Sequence, residues 1–322
     1  MEQTILKLNN VVSQFSIRGQ MVPAVRSVSL EVKKGKTLVI LGESGSGKSV
    51  MLRSILRILP RNTKTMGSIE YNGEDLLQKS EKEMRHIRGN RIAMVFQDSL
   101  SALDALYKVG HQVGETITNH AKTPKEAVKQ KVIELFNKVG IPSPQTRVKA
   151  YPFEMSGGMR QRSVIAMSLA CAPDLLLADE PTTALDVTIQ AQILSLFKQI
   201  QQEYGMTVIL VTHDIGVAIE MADEIAVMYA GKIVESGTVE QVLGNPQHPY
   251  TKELIAATPT GVKTERLHAI AGQPPALIDM PAGCAFAGRC SEKMSCCTST
   301  EPGVVTVDDN HQVACHLMSE SI

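Results

Sequence analysis

Residues 37–49 read Thr37-Leu38-Val39-Ile40-Leu41-Gly42-Glu43-Ser44-Gly45-Ser46-Gly47-Lys48-Ser49. A short apolar run meets a glycine, as a buried strand meets a turn. The last eight residues fit G-x-x-x-x-G-K-[ST] at every fixed position. Glycines at these places let backbone N–H groups wrap around phosphate oxygens. A helix is expected to begin near Lys48, where its dipole favours negative charge. Gly42, Ser44, Gly45, Ser46, Gly47, Lys48 and Ser49 are therefore candidate phosphate-binding residues. Lys48 is expected to reach the β- and γ-phosphates of ATP, and Ser49 to give an oxygen to Mg²⁺. The rival reading is a glycine-rich turn that matches by chance.

A second motif argues against chance. Leu175-Leu176-Leu177-Ala178-Asp179-Glu180 is an apolar strand that delivers two adjacent carboxylates at its end. Asp179 suits Mg²⁺, usually through water, and Glu180 suits a water to be polarised for attack. Alone, this pair reads equally well as a solvated acidic turn.

Outward from these motifs, apolar runs recur at 92–96, 208–212 and 225–229. With helical stretches between them, they predict an α/β architecture with central parallel strands. Residues 123–140 predict a helix capped by Thr123, with Pro124 first, Glu126 completing a capping box and Gly140 as the stop. Val128, Val132, Leu135, Phe136 and Val139 form its apolar face. The helix lies in a long insertion between two strands, which predicts a helical subdomain.

The chain has 322 residues, with 43% hydrophobic and 20% charged, as in an ordinary globular protein. Lys+Arg and Asp+Glu both count 33, so no bulk charge draws it to nucleic acid or membrane. It lacks a run of about 20 apolar residues, the length that spans a bilayer, and its start lacks the order of a secretory signal. A cytoplasmic setting with reduced thiols is expected. Five of the six cysteines follow residue 283, and Cys171 reads as inert packing. Composition shifts near residue 258 toward Pro, Gly and Cys, which places a boundary between 1–258 and 259–322.

Tyr151-Pro152-Phe153-Glu154-Met155-Ser156-Gly157-Gly158-Met159-Arg160-Gln161-Arg162 resembles the signature segment of ABC ATPases. The family's other elements appear in order. Gln97 resembles the Q-loop glutamine, Ala184-Leu185-Asp186 the D-loop and His213 the switch histidine. Phe15, the only aromatic residue before the phosphate loop, is the candidate for stacking on adenine, with a core Phe as its alternative. Met155 and Met159 replace the commonest Leu and Gln of the signature, but the Ser156-Gly157-Gly158 core is intact. Gly-Gly-Met-Arg-Gln-Arg is typical of the dipeptide/oligopeptide importer branch, close to nickel importers. Asp179 to Thr188, Met228-Tyr229-Ala230-Gly231 and His248-Pro249-Tyr250-Thr251 follow that branch. Residues 98–107 depart from it by lacking both of its prolines. Their apolar side chains Leu100, Leu103, Leu106 and Tyr107 are expected either to face the membrane subunits or to fill the local core.

The resemblance implies an α/β, P-loop NTPase, ABC ATPase fold. It would have a RecA-like core, an antiparallel β subdomain, a helical subdomain at about 98–168 and a small irregular C-terminal extension bearing cysteines. It implies ATP hydrolysis in a composite site, with Gln97, Glu180 and His213 catalytic and Ser49, Gln97 and Asp179 around Mg²⁺. Ser156, Gly157, Gly158 and Asp186 would act on ATP held by a second ABC ATPase subunit. Two membrane permeases and an extracytoplasmic solute-binding protein would complete an importer at the cytoplasmic face of the membrane. No nucleic-acid partner is expected. Peptide import is the leading reading; nickel import and a soluble non-transport ABC ATPase are the alternatives.

Cys284, Cys290, Cys297 and Cys315 have five, six and seventeen residues between them. Thiols in a loop-rich reduced segment suggest a metal site rather than disulfides, although the spacing lacks the tight pair of common zinc modules. The branch's C-terminal pattern implies that these four hold a [4Fe–4S] cluster, with Cys296 as the alternative to Cys297. Zinc and free thiols are the other readings.

Overall fold

The computed structural model describes residues 3–98, 102–120, 123–183, 186–258 and 269–319. Its strands are β1 Thr4–Ile17, β2 Gln20–Lys33, β3 Thr37–Leu41, β4 Thr63–Tyr71, β5 Glu74–Asp75, β6 Ile92–Val95, β7 Leu175–Asp179, β8 Thr207–Thr212, β9 Glu224–Tyr229, β10 Lys232–Thr238, β11 Val305–Asp308 and β12 His311–Val313. Its helices are α1 Lys48–Ile55, α2 Glu81–Ile87, α3 Val109–His120, α4 Lys125–Lys138, α5 Pro144–Arg147, α6 Gly157–Leu169, α7 Val187–Tyr204, α8 Ile215–Met221, α9 Pro249–Ala256 and α10 His316–Ser319. The chain forms two compact units, Met1–Leu77 with Val211–Ile322, and Gln78–Leu210.

The first unit contains an antiparallel sheet of order β2-β1-β4-β5. Its long hairpin turns at Arg18 and Gly19, with φ 50° and 81°. A consecutive pair of positive φ angles matches the right-handed twist of hairpin strands. The same unit carries the strand order β11-β12-β10-β9-β3. β3 runs parallel to β9, Leu38 beside Glu224 and Leu41 beside Val227. All five residues of β3 are buried, which is why the strand reads as a continuous apolar run instead of alternating. Each large side chain buried there contributes roughly 1.5–3 kcal/mol.

The C-terminal segment is more ordered than its composition predicts. β11 and β12 form a hairpin, and β12 pairs with β10 at Glu235–Val313 and Ser236–Gln312. Glu235 is wholly buried and accepts from the N–H groups of Gln247 (2.8 Å) and His248 (3.0 Å) while lying 2.8 Å from His311 Nε2. The expected boundary after residue 258 falls next to residues outside those described.

In the second unit β8, β7 and β6 are neighbours. β6 and β7 are parallel, with Val95 beside Ala178. α3, α4, α5 and most of α6 occupy the predicted helical insertion. Val132, Leu135, Phe136 and Val139 of the predicted face are buried. Val128 is half-buried above Gly114 of α3, where an added Cβ would come within 3.1 Å of its Cγ1. The predicted Thr123 cap does not form. Pro124, with φ −56° and ψ 141°, takes the cap position without a side-chain bond, and its carbonyl accepts from Ala127 N–H at 2.9 Å. Gly140 ends the helix at φ 72°, as expected.

Candidate functional site

The first unit carries the phosphate loop between β3 and α1. Two of its glycines are required by close approaches. Gly42 has φ 153°, and a Cβ there would lie 2.2 Å from the Met228 carbonyl oxygen. Gly47 has φ 101°, and its Cβ would lie 2.4 Å from the Ala24 carbonyl oxygen. Only glycine fits such positions without strain. The loop is anchored by Gly231 N–H, which donates to Ser46 carbonyl at 2.8 Å. α1 is seated by Met51, Leu52 and Ile55 in the core and by Ser54 Oγ, 2.7 Å from Ser13 Oγ of β1.

Lys48 is buried, and its ammonium donates to the carbonyls of Gly42 (2.6 Å) and Glu43 (2.9 Å) and to Ser46 Oγ at 3.5 Å. A cation is thereby held inside a ring of loop backbone, the arrangement an anionic ligand needs. Ser44 and Gly45 are exposed at the tip, and Ser49 is half-buried in the first turn of α1. Phe15 is half-buried on β1, opposite Val22 and Thr63. His213 is exposed just after β8; its neighbour Asp214 caps α8 by accepting from Gly216 N–H at 2.8 Å.

The second unit brings together Gln97 and Glu180. β6 and β7 end side by side. Gln97 Nε2 donates to Glu180 Oε2 at 3.1 Å, and Thr183 Oγ1 donates to the same oxygen at 2.8 Å. Glu180 has φ 45°, a left-handed conformation uncommon for a non-glycine residue. Asp179, one residue earlier, is fully buried.

Ser156 caps α6, its Oγ accepting from Met159 N–H at 3.3 Å. Ser156 and Gly157 are exposed, whereas Met155 is buried at the position where Leu is commonest. Asp186 caps α7 by accepting from Ile189 N–H at 2.9 Å. Ala184 and Leu185 of the predicted D-loop lie outside the described residues. Of the apolar segment at 98–107, Leu103 is buried, Leu106 is 82% and Tyr107 53% exposed; Leu100 lies outside the described residues. The segment is therefore divided between core and surface.

Gln161, Thr183, Tyr250 and Arg289 were not singled out from the sequence as site residues. Gln161 is buried and donates to the Pro181 carbonyl at 2.7 Å, tying the signature helix to the loop after β7. Tyr250 is buried, and its hydroxyl accepts from Glu43 N–H at 2.9 Å. Their partners are 20 and 207 residues away, so no local spacing announces them.

The expected iron–sulfur cluster is corrected. Cys284, Cys290, Cys297 and Cys315 line one small apolar recess with Phe286 and His248. Yet among the described residues no group of three or more His, Cys, Asp or Glu side chains is placed to hold a metal ion. Cys284, Cys290, Cys297 and Cys315 are free thiols. Burial pushes the thiols of Cys284 and Cys290 up and that of Cys315 to about 11. The physical reason is packing: these side chains fill an apolar recess as small hydrophobes.

A phosphate loop entering a helix, a paired-carboxylate strand end and a serine-capped Ser-Gly-Gly turn define an ABC-type ATPase. Residues 25–183 match the family described as ABC transporter. A solved cassette, MJ0796 bound to ADP and Pi, aligns with a TM-score of 0.66 at 29% identity, covering 73% of this chain and 98% of its own. The cbiO1 subunit from Clostridium perfringens aligns at 0.64 and 27% identity, covering 76% of this chain and 92% of its own. The assignment narrows further. Residues 234–297 match the family described as oligopeptide/dipeptide transporter, C-terminal region. The dipeptide transport ATP-binding protein DppD of Bacillus subtilis is 48% identical over 99% of this chain and 96% of its own length. The oligopeptide transport ATP-binding protein AmiE of Streptococcus pneumoniae is 46% identical over 99% of this chain and 91% of its own. The chain belongs to the ABC transporter family, in its oligopeptide/dipeptide branch.

Proposed function

We propose that the chain is the ATP-hydrolysing subunit of an importer for dipeptides, oligopeptides or similar solutes. The observation that carries this reading is the near full-length similarity to peptide transport ATP-binding proteins. Such a subunit works at the cytoplasmic face of the membrane with permeases and a solute-binding protein. No helix among the described residues is long and apolar enough to cross a membrane, consistent with attachment through permeases.

ATP is the substrate, and its phosphates suit the Lys48 cradle. The hydroxyl of Ser49, the amide oxygen of Gln97 and the carboxylate of Asp179 are hard oxygen donors, the type Mg²⁺ selects. When bound, Mg²⁺ would offset charge on the transferred phosphoryl group. Gly42, Ser44, Gly45, Ser46 and Gly47 supply backbone and hydroxyl donors to the phosphates. Glu180, oriented by Gln97 and Thr183, polarises the attacking water. His213 contacts the γ-phosphate, and Phe15 stacks on adenine. Ser156, Gly157, Gly158 and Asp186 serve the ATP held by a second ATPase subunit; the helix-capping turn at Ser156 favours phosphate as the loop does. ATP would stabilise the closed pair over the open one, the differential affinity any conformational drive requires.

Uptake by the reconstituted importer tests the assignment. Labelled dipeptide or oligopeptide should accumulate only with ATP and with Lys48 intact. ATP-driven nickel uptake without peptide uptake would refute it.

A further inference from the structure

The C-terminal extension reaches the phosphate loop through the side chain of Arg289. This side chain is 5% exposed and grips both carboxylate oxygens of Glu43, Nη1 to Oε2 at 2.6 Å and Nη2 to Oε1 at 3.0 Å. The rest of its fork is also held. Nε donates to the Ala271 carbonyl at 2.9 Å, Nη2 to the Ile270 carbonyl at 3.4 Å and Nη1 to Tyr229 Oη at 3.3 Å. Phe286 packs its ring against Tyr229 and Tyr250 with centroids 5.3 and 5.4 Å away. Glu43 is thus fixed twice: its carboxylate by Arg289, its N–H by Tyr250.

Glu43 is not a neutral bystander. It is the second residue of the loop, and its carbonyl, with that of Gly42, receives Lys48. A carboxylate in a loop built for an anion repels that anion unless it is neutralised. A bidentate guanidinium neutralises it and fixes its direction at once.

We propose that Arg289 is a positioning residue for nucleotide binding, neutralising and steering Glu43 so that the folded C-terminal extension sets the affinity of the phosphate loop for ATP. This rests on residues 42–49 being the nucleotide site. A strap that only fastened the extension in place would alter stability and leave affinity untouched.

The test titrates the purified full-length chain with a fluorescent ATP analogue and Mg²⁺, with thermal unfolding measured without nucleotide. Arg289→Gln leaves one uncompensated charge in the loop. It should weaken binding about tenfold, equal to about 1.4 kcal/mol. Adding Glu43→Gln to it should recover most of that loss, even where the melting temperature stays low. Arg289→Lys keeps the charge but loses the fork; it should show about a threefold loss that Glu43→Gln also relieves. It carries the comparison where Arg289→Gln does not fold. Affinity within twofold of wild type in folded Arg289→Gln, or a loss that Glu43→Gln leaves unrelieved in whichever Arg289 variant folds, overturns the proposal. Lys48→Ala separates the two readings. If it abolishes binding while the Arg289 variants bind normally, only the role of Arg289 falls. If it binds as wild type, the nucleotide-site reading falls with it.

Discussion

Glu180→Gln is the sharpest probe of the hydrolytic chemistry. In the wild type one carboxylate oxygen accepts from Gln97 at 3.1 Å and Thr183 at 2.8 Å. A glutamine amide oxygen can accept both bonds in the same place. The left-handed backbone at φ 45° is no less accessible to glutamine than to glutamate. Geometry is therefore kept, and what disappears is the charge and basicity that polarise water. Removing one well-placed general base costs about 10²–10⁴ in rate, or about 3–5 kcal/mol of barrier. In the reconstituted importer, steady-state phosphate release should fall by that factor. ATP binding should persist and ATP-bound complex should accumulate. Hydrolysis within threefold of wild type would refute the role given to Glu180.

Four further outcomes follow from the same structure. If Ser156 serves the partner's ATP, a Lys48-defective chain mixed with a partner defective in its own signature serine should lose one site and keep the other; equal activity at both sites counts against a composite arrangement. Leu106 and Tyr107 are exposed, whereas Leu103 is buried, so hydrogen exchange at 104–107 should slow when the permeases are present, and identical exchange in both states would remove this segment from the contact. Burial, aided by the Lys252 charge, holds His248 down to about 3 against an ordinary value of 6.5; between those values only the unfolded chain takes up the proton, so stability falls with pH by up to about 1.4 kcal/mol per unit. His248→Asn, which retains an acceptor for Tyr250 N–H, should flatten that acid slope in urea unfolding, and an unchanged slope would show that other groups set it. Cys315, raised from 9.0 to about 11, should be alkylated about a hundredfold more slowly in the folded than in the denatured chain at neutral pH, measured by mass spectrometry; equal rates would mean the thiol is not buried.

The central strands and the phosphate loop were legible because each has a local signature. β3 and β7 are continuous apolar runs, and Gly42 and Gly47 occupy backbone positions that a side chain cannot share. The pairing of Gln97 with Glu180 became readable only through family motif order, since 83 residues separate them. The hairpin of β1 and β2 has several register shifts, which blur the alternation that would announce it. At α4, the predicted threonine cap did not form because Pro124 itself is extended, with ψ 141°, so the helix starts one residue later, at Lys125. The cysteine tail misled for a related reason. Spacing counts thiols along the chain but does not register that the fold uses them to line an apolar recess. The Glu43–Arg289 contact spans 246 residues and has no pattern at either end.

The join between β10 and β12 has a consequence for how the protein is made. Glu235 emerges from the ribosome long before His311, its partner in the finished fold. Until synthesis reaches β12, this edge of the sheet stays open, and a carboxylate destined for full burial must remain hydrated. This unit is therefore completed only after β12 has been synthesised. A premature stop between Arg289 and β12 would yield a chain that keeps the residues holding the phosphate loop but has an unsealed sheet edge, a natural substrate for chaperones and proteases.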